Sequence, residues 1–161
     1  MNHIPDTTVS PRRAEAVGRP MEILLVEDSL VDARLTMGAL KQGQLQHRLT
    51  VVRRGDEAIR FLRKEAQYAR APRPDLVLLD LLLPGKNGLE VLDDIRRDSS
   101  LADIPVVVLT SSETSEDRCR CEALSVQSYI TKPVNFQKFL HVVKELKRDW
   151  LAKDILLPAD D

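Results

Sequence analysis

Three apolar runs in this chain, "ILLV" at 23–26, "LVLL" at 76–79 and "VVVL" at 106–109, are continuous rather than alternating. A strand with one face in water alternates apolar and polar residues, so an unbroken run means burial on both faces. Such strands belong to a parallel sheet with helices packed on either side. Every apolar run must then be followed by a helix that carries the chain back across the sheet.

The stretches between the runs meet that demand. "EILLVED" reads as a strand with an acidic end, and "SLVDARLTMGALKQ" as a helix, which its apolar positions Leu30, Leu35, Met37 and Leu40 suit, with Ser29 as its cap. "HRLTVVR" is a second, shorter strand, and "GDEAIRFLRKEAQYA" a second helix with Ala58, Ile59 and Leu62 inward. After the polar link "RAPRP" come the strand "DLVLLD", the helix "GLEVLDDIRRD" with Leu89, Leu92 and Ile95 on one face, and the strand "IPVVVLTSS". "SEDRCRCEAL" is a short helix, "QSYITKP" the fifth strand and "NFQKFLHVVKELKRDWL" the last helix. Strand and helix alternate five times, so the expected fold is α/β and doubly wound.

With 161 residues the chain holds one ordinary domain. Met1 to Pro20 is polar, contains three prolines and lacks periodicity, and is read as a flexible arm (1–20) before a domain spanning 21–150 and a tail over 151–161. A net charge of -1 offers no field to recruit nucleic acid or an anionic membrane. No apolar run approaches the roughly 20 residues of a membrane span, and the first residues lack the apolar core of a secretory signal, so a cytoplasmic protein is expected. Cys119 and Cys121, two apart on a helix, point to different faces and are read as spectator thiols.

In an open parallel sheet, ligands bind beyond the carboxyl ends of the strands, where the winding reverses. Those ends carry Glu27 and Asp28, then Asp80, Thr110 and Lys132, whereas the second strand ends in Arg53 and Arg54. Singly, each is an ordinary cap or turn residue. Together they bring three carboxylates, a hydroxyl and an amine to one edge. Carboxylates held together repel, so a cation must offset them or some must be protonated. An all-oxygen set without histidine or cysteine favours the hard ion Mg²⁺, with Asp28 and Asp80 as direct ligands and Glu27 acting through a water. Asp80 is then placed to attack phosphorus and carry an aspartyl phosphate. Lys132 would balance the transferred charge and Thr110 hydrogen-bond a phosphoryl oxygen.

At these residues the chain resembles the receiver domains of two-component response regulators, through "VED" (26–28), "LLDLLLPGKNG" (78–88), "VVLTSS" (107–112) and "YITKP" (129–133), over roughly Met21 to Trp150. The resemblance implies a flavodoxin-like five-stranded parallel sheet, order 2-1-3-4-5, flanked by five helices. It implies phosphoryl transfer from a histidine kinase to Asp80, with Mg²⁺ held by Asp28, Asp80 and the backbone carbonyl of Leu82. It further implies that Thr110 and Tyr129 act as switch residues and that the Lys132–Pro133 bond is cis. Such a protein is a phosphoacceptor that dephosphorylates itself slowly, rather than an enzyme acting on substrates. The long link "RKEAQYARAPRP" and the ending "DWLAKDILLP" look like the single-domain regulators that pair with bacterial and cyanobacterial phytochromes.

After Leu151 only "AKDILLPADD" remains, too short for a DNA-binding helix pair. Output is therefore expected through protein contacts, with a downstream protein or a histidine phosphotransfer partner. Phe136, Phe139, Leu140, Val143, Leu146 and Trp150 suffice to cover the sheet; Val142, Leu151, Ile155, Leu156 and Leu157 are an apolar surplus, read as a homodimer surface. The bland alternative has the tail folding back on its own domain. A haloacid dehalogenase-type phosphatase would need an acid two places after its nucleophile, where Leu82 stands. A flavin module would want hydroxyls, not acids, after the first strand. The alternative that survives is a pseudo-receiver that keeps the fold without taking phosphate.

Overall fold

The computed structural model describes residues 18–111 and 114–158. The elements run β1 (Met21–Val26), α1 (Leu30–Gln42), β2 (His47–Val52), α2 (Gly55–Leu62), a 3-10 turn (Ala66–Tyr68), β3 (Leu76–Asp80), α3 (Gly88–Arg97), β4 (Val106–Thr110), α4 (Ser115–Ala123), β5 (Ser128–Thr131) and α5 (Phe136–Ala152). All strand pairs are parallel, in the order β2-β1-β3-β4-β5. The winding goes out from β1 to β2, then reverses to β3, which puts the reversal point between β1 and β3.

Each unbroken apolar run divides its residues between two cores, as pleating requires. Ile23, Leu25, Leu76, Leu78, Val107 and Leu109 join the core under α1 and α5. Leu24, Val26, Val77, Leu79, Val106 and Val108 join the one under α2 and α3. Among the described residues no helix is long and apolar enough to cross a membrane. Cys121 is buried and Cys119 exposed.

Helix α1 buries Ala33, Thr36, Ala39 and Leu40 and leaves Leu30, Leu35 and Met37 exposed. Small side chains let α1 lie close to the sheet and to α5, a reason that apolar spacing alone does not carry. The same closeness requires Gly43, where a Cβ would overlap the Phe136 ring. The second helix stops at Leu62 rather than running on to Ala69. Lys64 and Ala66 take positive φ, which folds the chain back so that Tyr68 meets Phe61 edge-on and hydrogen-bonds Glu57.

The ends of the chain need a correction as well. Val142 and Ile155 are buried, and Leu157 packs on the same core. The tail folds back on its own domain, so most of the apolar surplus behind the homodimer expectation is consumed within one chain. Leu151 alone of that set is strongly exposed. Gly18, Arg19 and Pro20, read as part of the flexible arm, are tied down. Arg19 N–H donates to the Asp154 carbonyl and Leu156 N–H to the Arg19 carbonyl, both at 2.8 Å, in a parallel bridge to Ile155. Residues 1–17 of the arm and 159–161 of the tail lie outside the described residues.

Arg19 also forks onto Asp75 at the amino end of β3, with Nη1 and Nη2 at 2.8 and 2.9 Å from the carboxylate, which accepts the Glu22 N–H as well. Burial pushes the Asp75 carboxyl up, but the guanidinium and the backbone donor outweigh it and hold the group below its usual value. A group whose folded value is depressed stabilises the fold above its unfolded pKa, near 3.9, and loses that contribution as pH falls further. Asp75→Asn is therefore expected to lower urea-unfolding stability at pH 7, with the gap to the parent narrowing below about pH 4. A gap independent of pH would show that the carboxylate's charge is not what matters there.

Candidate phosphoacceptor site

The strand register places the site. Val26 pairs with Leu79 and Asp80 with Leu109, so Glu27 stands level with Asp80, and Thr110 lies one step further along β4. The Glu27 N–H bonds the Val52 carbonyl at 2.9 Å, prolonging β1 by one residue and directing the side chain inward. Glu27 is 1% exposed and Thr110 equally buried. Lys132 follows β5, and its N–H donates to the Thr110 carbonyl at 2.8 Å. Its peptide bond to Pro133 is cis.

Gly88 and Gly55 permit the loop that frames Asp80. A Cβ on Gly88 would come within 2.4 Å of the Asp80 carbonyl, and one on Gly55 within 1.7 Å of the Lys86 carbonyl. Those approaches let α3 start against the end of β3 and let the 81–87 loop rest on α2. Asn87 and Glu90 close a capping box at the start of α3, which fixes where that loop ends. Gly85, at positive φ, makes the turn itself.

The centre of the site is the Lys132 ammonium, whose side chain is 10% exposed. Nζ stands 2.6 Å from Glu27 Oε1, 2.8 Å from Asp32 Oδ2 and 3.0 Å from Asp80 Oδ2. The last two are aligned hydrogen bonds, whereas the first is an ion pair without that alignment, leaving Glu27 Oε1 buried without a well-directed donor. Asp80 Oδ1 accepts the Leu82 N–H at 3.1 Å, and Glu27 Oε2 the Ser29 N–H at 3.2 Å. Burial, then the neighbouring Asp80 carboxylate, push Glu27 up to about 7 against the pull of Lys132. Burial disfavours the ammonium's charge, but the hydrogen bonds to Asp32, Glu27 and Asp80 together hold Lys132 above its ordinary value.

Asp28 follows Glu27 at the end of β1 and is 48% exposed at its side chain. Its carboxylate is turned to Arg53, with Nη2 at 3.5 Å from Oδ1 and 3.2 Å from the Asp28 carbonyl. Among the described residues no three acidic, imidazole or thiol side chains stand ready-grouped as metal ligands. Of the expected set, Glu27 and Asp80 share the Lys132 ammonium and Asp28 pairs with Arg53. The donor set nonetheless fits a hard cation. Four carboxylates, Glu27, Asp28, Asp32 and Asp80, face two fixed cations, all donors are oxygen, and one buried carboxylate oxygen lacks an aligned partner.

Leu82 is 68% exposed at the mouth of the site. Tyr129 is half-buried on β5 and lies under the Arg118 guanidinium, 5.1 Å from the ring centroid. Ser112 of the "VVLTSS" motif lies outside the described residues. Sequence reasoning missed Asp32, Arg53 and Arg118. Asp32 had a signal, since it follows Asp28 by four places on the first turn of a helix and so returns toward the strand end. Arg53 and Arg118 had none, because their partners come from distant segments.

Residues 23–144 match the response regulator receiver domain family. Response regulator Rcp1 of Synechocystis sp. is 42% identical over 87% of this chain and 95% of its own length. The crystal structure of the Mn²⁺-bound form of Rcp1 has a TM-score of 0.69, covering 87% of this chain and 100% of that one. That of the phosphorylated cyanobacterial phytochrome response regulator RcpA is 44% identical with a TM-score of 0.70, over 87% and 99% of the two chains.

Proposed function

Because this chain belongs to the response regulator receiver family, we propose that it accepts a phosphoryl group from a histidine kinase on Asp80 and signals through protein contacts. The observation that carries this reading is Lys132 bridging Glu27 at the end of β1 and Asp80 at the end of β3, across the reversal point of the sheet. Mg²⁺, on the Asp28 and Asp80 carboxylates and the Leu82 carbonyl, with Glu27 behind a water, would supply the charge neutralisation that lets an anionic acceptor meet an anionic donor.

The residues divide the remaining work. Asp80, oriented by the Leu82 N–H, presents its carboxylate oxygen for attack on phosphorus. Lys132 has its ammonium within hydrogen-bond reach of that oxygen, where the transferred phosphoryl oxygens will develop charge. The buried Thr110 hydroxyl would bond the transferred group, and Tyr129 would repack in response. Beside the site α1 exposes Leu30, Val31 and Leu35, an apolar face suited to docking the kinase. Similarity to RcpA, itself a phytochrome response regulator, supports a phytochrome-type kinase as the donor. This reading needs no second copy of the chain.

The test is intact-mass analysis after incubation with acetyl phosphate and Mg²⁺. A gain of about 80 Da that disappears with chelator, and that borohydride trapping maps to Asp80, is the expected result for an aspartyl phosphate. No gain from either acetyl phosphate or a phosphorylated histidine kinase would leave the pseudo-receiver reading in its place.

A further expectation concerns Leu82, whose exposed side chain borders the approach of the water that hydrolyses the phosphoryl group. Leu82→Asn is expected to change the lifetime of the phosphorylated state more than its rate of formation. Equal changes in both, measured by loss and gain of the phosphorylated mass, would discard that role.

A further inference from the structure

Asp32 is an acid in the first turn of α1, a place where an acid is ordinarily explained by the helix dipole. Here its carboxylate also reaches across 100 residues of sequence to Lys132. Of the two aligned hydrogen bonds made by the ammonium, the shorter, 2.8 Å against 3.0 Å, goes to Asp32 rather than to the acceptor Asp80. An ammonium has three N–H donors. Two are directed at the Asp32 and Asp80 carboxylates and Glu27 stands as a third, unaligned ion-pair neighbour, so the ammonium is surrounded by carboxylates before any phosphoryl group arrives.

We infer that Asp32 is a positioning residue that competes with the phosphoryl group for Lys132 and so restrains phosphorylation of Asp80. This rests on the phosphoacceptor reading above. Two effects act in the same direction. Asp32 draws the ammonium toward α1, away from Asp80, and its negative charge opposes an anionic phosphodonor. Asp32 lines a narrow cleft with Leu35, Thr36, Lys132, Pro133 and Val134, and its side chain is 35% exposed, so a solvent-borne donor feels that charge. With acetyl phosphate, a P–O bond to Asp80 forms as the bond to acetate breaks, and acetate leaves with its electron pair. Lys132 must turn an N–H onto the transferred oxygens during that step.

The experiment measures initial phosphorylation rates with acetyl phosphate at saturating Mg²⁺ for the parent, Asp32→Asn, Asp32→Ser and Asp32→Glu, with thermal melts to establish folding. Both neutral variants are expected to react roughly three- to fivefold faster, the size expected from losing one partly exposed ion pair. Asp32→Glu should restore the parent rate. The advantage of the neutral variants should shrink as salt is raised, because the competing charge is reached by solvent; a merely structural role would show no such salt dependence. Folded neutral variants that react no faster than a phosphorylated parent would overturn the inference alone. A parent that takes no phosphoryl group from acetyl phosphate or from a phosphorylated histidine kinase would overturn it together with the phosphoacceptor reading. Asp32→Ser keeps the test valid if Asp32→Asn fails to fold.

Discussion

Lys132→Ala is expected to slow phosphorylation of Asp80 by about a hundredfold or more, the usual cost of removing one preorganised charge from a reacting site. Among the described residues Lys132 is the cation that pairs with Glu27 and Asp80. The other cation on the site, Arg53, is on the far side with Asp28, and its guanidinium is half exposed. Without Lys132 the buried Glu27 carboxyl faces Asp80 without the counter-charge that now opposes the effect of its burial. Removing a cation also makes the site more negative, so Mg²⁺ affinity, measured by calorimetry, should not fall. Loss of phosphorylation with metal binding kept would separate charge stabilisation from metal recruitment. A rate within a few-fold of the parent would show that Lys132 is a structural counter-ion and no more.

Trp150→Ala is expected to cost about 3–5 kcal/mol, the range for emptying a large aromatic from a well-packed core. Trp150 is 1% exposed among the side chains under α1 and α5. Its carbonyl also accepts the N–H groups of Lys153 and Ile155 at 3.0 and 3.1 Å, so it ends the helix and starts the tail's return. The indole and Ile155 lie in the same core, so emptying it loosens the seat of Ile155 and of the bridge to Arg19. In a domain of this size the loss should lower the melting temperature by about 10 °C. Leu151→Ala, one residue on but exposed, should change stability by no more than about 0.5 kcal/mol. If the two variants melt alike, the tail is not seated as described.

The apolar runs carried most of the fold. A strand buried on both faces has no polar positions, and that pattern survives in sequence because every residue of β3 and β4 is buried. Strand ends were equally legible, since the site residues end or follow strands whose direction is known once the sheet is parallel. Which face α1 turns to the sheet was not legible, because packing there depends on side-chain size rather than on apolar spacing. The end of α2 was misread because Lys64 and Ala66 adopt a backbone conformation that neither residue favours, for the sake of the Tyr68 contacts.

By itself, then, the sequence determined the parallel sheet, its flanking helices, and the convergence of Glu27, Asp28, Asp80, Thr110 and Lys132 at one edge, because local periodicity and chain direction suffice for those. Tertiary structure decided the pairings. Asp32 takes one bond of Lys132 and Arg53 takes Asp28. Arg96 donates to the carbonyls of Ala102, Ile104, Leu124 and Ser125, and the tail closes on Arg19. Long charged side chains choose among partners many residues apart by distance and burial, and neither quantity exists until the chain has folded.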